Sequence, residues 1–113
     1  MANMVTAEDR DVINQFQVLQ QQLQEILIQK ENVKLQKLEF EKALEELNKT
    51  GSKEAYKIAG PIMIKRNSDE IKKEMQEKLD DIEIRLKTLN STEDKITNKL
   101  KEIEPKIKKM IGQ

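Results

Sequence analysis

The side chains that could do covalent chemistry in this sequence are three serines, Ser52, Ser68 and Ser91, and the many carboxylates. A serine nucleophile needs a neighbouring base such as histidine, and the 113-residue chain contains neither histidine nor cysteine. The carboxylates alternate with lysines at helical spacing, which is typical of ion pairs on solvated faces. We therefore expect no catalytic residue, no metal ligand and no cofactor.

The overall composition favours protein contacts over nucleic acid or membrane. Charged residues make up 37% of the chain and aromatics 3%, and 21 basic residues balance 21 acidic ones. Nucleic-acid-binding proteins usually carry a net basic surface. No apolar run approaches the roughly 18 residues of a membrane span, and the first residues lack the pattern of a signal peptide. We expect a cytoplasmic protein with no nucleic-acid or membrane partner.

A glutamine-rich segment is the first candidate for non-covalent contact. Because glutamine is uncharged and flexible, its face could touch many partners without desolvating a charge. The alternative is that glutamine is simply a good helix former on a surface. The segment contains Gln15, Gln17, Gln20, Gln21, Gln22 and Gln24.

Surplus apolar residues near both chain ends are the second candidate. Ile13 and Val18 lie outside the regular repeat of the first helix, and Ile111 closes the second. Exposed apolar patches usually mark interaction sites, although ordinary fraying of a terminus is the alternative. Pro105 removes a helical hydrogen bond and predicts a kink or an end there, which would leave Ile107 mobile.

Two long repeats must position these residues. Apolar side chains at alternating steps of 4 and 3 predict a left-handed coiled coil. The first repeat predicts a helix from about residue 7 to about 50, and the second a helix over 68–111. The first seam is Val12, Phe16, Leu19, Leu23, Ile26, Val33, Phe40, Leu44 and Leu47, and the second is Met75, Leu79, Ile82, Leu86, Leu89, Ile96, Leu100, Ile103, Ile107 and Met110.

The equal lengths of the two repeats predict an antiparallel pair of helices. In that pairing Lys30 and Lys37, the polar positions of the first seam, would flank Glu93 on the second. A polar cluster in an apolar seam can fix its register. The alternative is that these long side chains extend to solvent.

Residues 55–66 between the repeats have the period-2 pattern of strands. The apolar residues alternate around Lys57, and Gly60 and Pro61 supply a turn. A lone two-stranded hairpin is marginal in water, so we expect it to pair with hairpins of other chains. A floppy apolar linker is the alternative. The expected oligomerisation residues are Tyr56, Ile58, Gly60, Ile62, Met63 and Ile64.

The chain resembles the β-type subunits of prefoldin, the archaeal-style chaperone, over about residues 8–111. The resemblance lies in the runs 16–23 and 42–47, the hairpin 56–65 and the stretch 79–86. Two departures are Pro61, which has no N–H for a strand ladder, and Ala55, which replaces a β-branched residue and would shorten the first strand.

The resemblance implies a hexamer of two α-type and four β-type subunits, joined through hairpins into β-barrels. Its coiled-coil ends would hold unfolded or nascent proteins without ATP and pass them to a group II chaperonin. The residues expected to contact these client proteins, termed the tip residues, are Val12, Ile13, Phe16, Leu19, Ile103, Ile107 and Met110.

The predicted fold is mainly α: a long antiparallel two-helix coiled coil with a central β-hairpin that oligomerises into a β-barrel platform. We expect a single domain over 1–113. The function we expect is that of an ATP-independent chaperone subunit and not of an enzyme. The alternative is a structural or adaptor coiled coil, or a filament-forming subunit. A pure scaffold would keep its ends polar, whereas this chain has surplus apolar residues there.

Overall fold

The two helical repeats and the β-branched stretch between them each form the element that their pattern predicts. The computed structural model describes residues 5–112. The elements are α1 (Ala7–Thr50), β1 (Glu54–Ala59), β2 (Ile62–Asn67) and α2 (Ser68–Gly112). The mainly helical fold with a central antiparallel hairpin is confirmed. The single-domain interpretation stays a prediction.

Helix α1 begins and ends with local signals in the sequence. The backbone N–H of Asp9 donates to Thr6 Oγ1 at 3.0 Å, and the Thr6 N–H donates to Asp9 Oδ2 at 3.2 Å. This reciprocal pair is a capping box with aspartate in the place of glutamate. At the other end Gly51 has a φ of 63°, the left-handed conformation that commonly ends a helix.

The contacts divide the chain into two compact units. We call residues 1–30 with 88–113 the terminal unit and residues 31–87 the hairpin unit; residues 1–4 and 113 lie outside the described part. In the terminal unit Leu19, Ile96 and Ile103 form a buried cluster. In the hairpin unit the buried apolar side chains are Val33, Ile71, Leu79 and Ile82.

The predicted seams are confirmed residue by residue. Every seam position is buried or half-buried, including the end positions Val12 and Met110. Burying a Leu or Ile side chain fully contributes about 1.5–3 kcal/mol. This apolar stripe, more than intrinsic helix propensity, stabilises two helices of such length.

The strands pair antiparallel from Glu54↔Asn67 to Ala59↔Ile62. Gly60 and Pro61 form the two-residue turn, and Gly60 has a φ of 56°. A positive φ at the first central position is the pattern of a type II′ turn, whose twist suits a hairpin. Pro61 occupies the second central position, where its fixed negative φ fits and no ladder N–H is lost. The expected shortening at Ala55 is wrong, because Ala55 pairs with Arg66 within the ladder.

The start of α2 joins the hairpin to the helix. The Asp69 N–H donates to Asn67 Oδ1 at 2.8 Å, so Asn67 caps the helix. The Ser68 N–H donates to the carbonyl of Lys53 at 2.9 Å, which links the strand entry to the helix start. The carboxylate of Glu70, in the first turn of α2, contacts Arg66.

The prediction for Pro105 is a kink or an end of α2. The helix does not end there, since it continues to Gly112. Ile103 is buried in the terminal cluster and Ile107 packs against it. The expectation that Ile107 is left out of the packed seam is therefore wrong as well. Packing on both sides of the proline offsets one missing backbone hydrogen bond, since tertiary packing supplies most helix stability.

The polar positions of the first seam find different partners. Lys30 forms an ion pair with Glu93, and both side chains are largely shielded from solvent. Lys37 does not flank Glu93 as expected but pairs with Glu83. Its hydrogen bond to Glu83 raises the pKa of Lys37. The two lysines thus mark two separate contacts along the helix pair.

Candidate binding surfaces

One face of the hairpin is an exposed apolar surface. The register places Ile58 opposite Met63 and Tyr56 opposite Lys65, so these side chains point to the same side. Ile58 is 74% exposed, Met63 66% and Tyr56 60%. Large apolar side chains this exposed and this close together usually mark a contact with another molecule.

The opposite face of the hairpin is apolar too. Ile62 pairs with Ala59 and Ile64 with Lys57, so the two isoleucines lie on the other side of the ribbon from Tyr56. Ile62 is 56% exposed and Ile64 41%. A sheet with one solvated face would place polar residues there. The half of the hairpin nearest the turn is thus uncovered on both faces, and all six predicted oligomerisation residues lie in this hairpin.

The base of the hairpin is held to α2 by charge. Arg66 donates to Glu74 Oε1 at 2.8 Å and also contacts Glu70 at 3.4 Å. Lys57 reaches the second oxygen of Glu74 at 3.5 Å. The hydrogen bond from Arg66 lowers the pKa of Glu74, and the same bond raises the pKa of Arg66. These contacts fix the ribbon relative to the start of α2.

A small apolar pocket lies where the ribbon meets the helices. Ala55 and Tyr56 lie at its strand side. The helices therefore cover the base of the hairpin, while the turn half extends beyond this cover. The helix residues that line the pocket include Ala43, Leu47, Ile71 and Met75.

In the terminal unit the seven tip residues fall into two groups. Leu19 and Ile103 are buried in the cluster between α1 and α2. The other five are half-buried: Val12, Ile13, Phe16, Ile107 and Met110. Val12, Phe16 and Ile107 pack against this cluster, and Met110 lines a groove with Val12. Only the half-buried group keeps surface available for contact.

A groove beside this seam has an uncharged lining. It is formed by Gln17, Gln20, Gln21 and Gln24 of α1, with Leu23 beside them and Leu100 from α2. All four glutamines are exposed, and the two leucines are half-buried. We call these four residues the glutamine face. Amide groups above an apolar floor can offer hydrogen bonds and apolar contact at the same place.

Several exposed apolar residues on α1 were missed by the sequence reasoning. Leu27 and Ile28 are 42% and 62% exposed in the terminal unit, and Leu35 and Leu38 are exposed in the hairpin unit. They lie outside the a and d positions of the heptad, which form the seam. The signal that could have found them is the heptad frame itself, in which apolar residues at outer positions have no partner in a two-helix coil.

The described residues give no sign of a metal site or a membrane segment. Across residues 5–112 no group of three or more His, Cys, Asp or Glu side chains is placed to hold a metal ion. Within the same range no helix has the length and apolarity needed to cross a membrane.

The fold and surfaces define a class of helical chain that carries a β-hairpin between two long helices. Comparison with known proteins identifies the family. The prefoldin subunit family matches residues 10–113, and the chain belongs to this family of chaperone subunits.

Individual relatives agree with this assignment. The prefoldin subunit beta of Archaeoglobus fulgidus is 35% identical over 104 residues, which is 91% of this chain and 90% of the relative. That of Pyrococcus furiosus is 38% identical over 97 residues, or 85% and 83% of the two chains. The crystal structure of the prefoldin beta subunit from Thermococcus strain KS-1 superposes with a TM-score of 0.85 at 30% identity, covering 99% of both chains.

Proposed function

We propose that this chain is a β-type subunit of a hetero-oligomeric prefoldin and assembles through its hairpin. The expected partners are α-type subunits, in a hexamer of two α and four β chains. The observation that supports assembly is the exposure of apolar side chains on both faces of the ribbon, Ile58 on one and Ile62 on the other. Strand pairing with neighbouring hairpins would cover these faces and the free edges.

The assembled complex acts as a holdase, without ATP and without a covalent step. Its terminal units bind unfolded or nascent proteins and deliver them to a group II chaperonin. Val12, Ile13, Phe16, Ile107 and Met110 make the client contact, since each keeps part of its surface exposed. Leu19 and Ile103 act as the packed floor that positions them. The cytoplasmic location stays a prediction.

Weak contacts suffice for holding in such an assembly. The tip of each terminal unit offers only five half-exposed contact residues, so one tip alone binds a client weakly. Several units on one platform make the later contacts intramolecular and raise the overall affinity by 10² or more, on the order expected for linked sites.

An adaptor coiled coil is the second candidate. Leu35 and Leu38 are exposed at outer positions of α1 in the hairpin unit, which is where a third helix would pack. This function would place the main partner on the hairpin unit and would leave the terminal unit without a client.

Deletion of residues 1–15 and 105–113 tests the holdase function. The truncated chain keeps Leu19, Ile96 and Ile103, so the terminal cluster retains its centre. Four of the five contact residues are lost, so we expect client holding, measured as suppressed aggregation of an unfolded protein, to fall sharply, while size-exclusion chromatography shows the same assembly. Client holding undiminished by the deletion would refute the tip assignment. A change in assembly would instead show that the terminal unit takes part in oligomerisation.

A further inference from the structure

Part of α1 is almost free of charge in a chain that is otherwise rich in it. Glu25 is the only charged residue between positions 12 and 29, although 37% of the whole chain is charged. In the same terminal unit more than half of residues 93–109 on α2 are charged. Solvated helix faces usually carry charged side chains. A helix face that only contacts water would be expected to carry more charge, so the lack of charge on this part of α1 indicates another role.

The uncharged side chains form one continuous surface. Gln17, Gln20, Gln21 and Gln24 are spaced by 3 and 4 residues, which makes them neighbours on the helix. Leu27 and Ile28 follow Gln24 by 3 and 4 residues and are both exposed. The surface thus consists of amides above the groove floor of Leu23 and Leu100, followed by two open apolar side chains.

The amides of this surface are available. Among the described residues no hydrogen bond joins any of the four glutamine side chains to another group of the protein. Each amide offers two donors and one acceptor oxygen. By contrast, Gln76 in the hairpin unit donates to Asp80 at 3.2 Å. The glutamine face therefore has hydrogen-bonding capacity that only water or a bound molecule can use.

The chemistry of the face selects its occupant. An extended non-native segment carries unpaired main-chain N–H and C=O groups together with apolar side chains. Burying these groups without partners is costly, and the glutamine amides can pair with both kinds. A charged lining would have to be desolvated whenever a neutral segment docks, and none of the six residues that line the groove is charged. Its complement is thus a neutral, extended polypeptide.

We propose that the glutamine face, with Leu27 and Ile28, is a client-binding surface that pairs with the main chain of extended, non-native segments. This inference rests on the proposed holdase function and names the part of the client that is recognised. Because main-chain groups are common to all sequences, holding depends little on client sequence. Since no ion pair is involved, it also depends little on salt.

The chain offers a matched pair of variants for the test. Gln17→Ala/Gln24→Ala removes two amides from the glutamine face. Gln15→Ala/Gln22→Ala removes two amides at the same spacing of 7 residues from the other side of α1, where both line a groove with Lys99 and Lys106. Alanine keeps helix propensity, so both variants should fold and assemble like the parent.

The probe is a fluorescent, unstructured peptide of Ser, Thr and Leu, used beside the same peptide with alternate main-chain amides N-methylated. The full-length chain is used in its native assembly. We expect Gln17→Ala/Gln24→Ala to bind the unmethylated peptide about tenfold more weakly, as for two lost neutral hydrogen bonds. N-methylation should weaken binding to the parent, with little further loss in this variant. Gln15→Ala/Gln22→Ala should match the parent, and 0.5 M NaCl should change none of these affinities.

Three results would overturn the inference. The first is equal binding by the two variants, and the second is equal binding of the two peptides. The third is a change of oligomeric state in Gln17→Ala/Gln24→Ala by analytical ultracentrifugation, which would make the face an interface between copies of the chain. Failure of the holdase function itself would look different. The parent complex would then not suppress aggregation of an unfolded protein at all.

Discussion

The hairpin and the glutamine face are both exposed surfaces, but their side chains differ in chemistry. The hairpin presents stiff β-branched side chains in a fixed register, held at its base by Arg66 and Glu74. The glutamine face presents long, flexible amides with no ion pair among the described residues. The first surface suits one partner of matching shape, and the second suits many partners of no fixed shape.

This difference shows how one chain can combine a specific contact with an adaptable one. Strand pairing between hairpins is directional and depends on register. Side chains with several rotatable bonds can repack around different partners, as in other promiscuous surfaces. A substitution that disrupts only one of the two surfaces should therefore affect assembly or client holding, but not both.

A single charge placed on each surface should separate the two functions most strongly. Ile58→Lys buries a lysine in the expected hairpin contact and should abolish assembly, whereas Ile28→Lys should leave assembly intact and reduce client holding. Sedimentation velocity measures assembly, and aggregation of an unfolded protein measures holding. Circular dichroism checks that both variants keep their helices. Loss of assembly in Ile28→Lys would show that the two surfaces are not independent.

Substituting a packing residue of the terminal unit should lower the free energy of unfolding more than substituting an exposed residue next to it. Leu19→Ala removes a buried side chain from the cluster with Ile96 and Ile103 and should lower the free energy of unfolding by about 2–4 kcal/mol. Val18→Ala, at a 51% exposed neighbour, should change it by less than about 0.5 kcal/mol. Urea denaturation measures both. Equal losses would mean that Leu19 is not a packing residue.

The stability of the hairpin turn should depend on the backbone conformation of Gly60 and not on space for a side chain. No atom lies within 4 Å of a Cβ added at Gly60, yet its φ is +56°. Gly60→Val forces a β-branched residue into this region and should cost about 1–3 kcal/mol, while Gly60→Asn should be tolerated because asparagine adopts it more readily. The urea midpoint of assembly is the measurement. A tolerated valine would show that the turn can change its type.

Removing the contact between Arg66 and Glu74, which anchors the hairpin to α2, should have the smallest effect on stability. The size of that effect should depend on pH. The pKa of Glu74 is lowered from its ordinary value of 4.5, chiefly by the hydrogen bond from Arg66. Its contribution to stability is therefore complete above that value and is lost as the pH falls through the depressed folded pKa. Glu74→Gln should lower the urea midpoint at neutral pH, and the difference from the parent should vanish in acid.

Glu70→Gln is the control for this prediction. Glu70 contacts the same guanidinium at a longer distance, 3.4 Å, and is more exposed than Glu74. Its substitution should change the urea midpoint less at every pH. A difference for Glu74→Gln that persists unchanged at low pH would show that packing, and not charge, anchors the ribbon.

The sequence predicts those parts of the fold that depend on regular spacing. The seams from Val12 to Leu47 and from Met75 to Met110 follow from a 3.5-residue period, and the period also gives the helix lengths. Burial and period are two expressions of the same helix geometry. The period-2 pattern around Gly60 gives the hairpin in the same way.

Features that depend on neighbours in space could not be predicted from spacing. The partner of Lys37 is Glu83 rather than Glu93, because the reach of a long side chain and the stagger of two helices decide such pairs. Helix α2 continues past Pro105 because Ile103 and Ile107 pack on either side of it. The two faces of the hairpin become distinct only once its register is known.

The candidate site was predicted in part. The sequence identified the hairpin residues and the ends of the helices, but it treated Leu19 and Ile103 as contact residues although they are buried. It also passed over Leu27 and Ile28, since a seam-based search considers only the inner positions of the heptad. Exposure requires the structure, because an apolar residue in a sequence is equally suited to a core or a contact.

The holdase function can be measured by light scattering of a guanidinium-unfolded protein that is diluted into nucleotide-free buffer with the native complex. We expect the complex to suppress scattering without ATP, and we expect added ATP to change nothing. Unchanged scattering at a several-fold excess of the complex would contradict the holdase function and would favour the adaptor coiled coil.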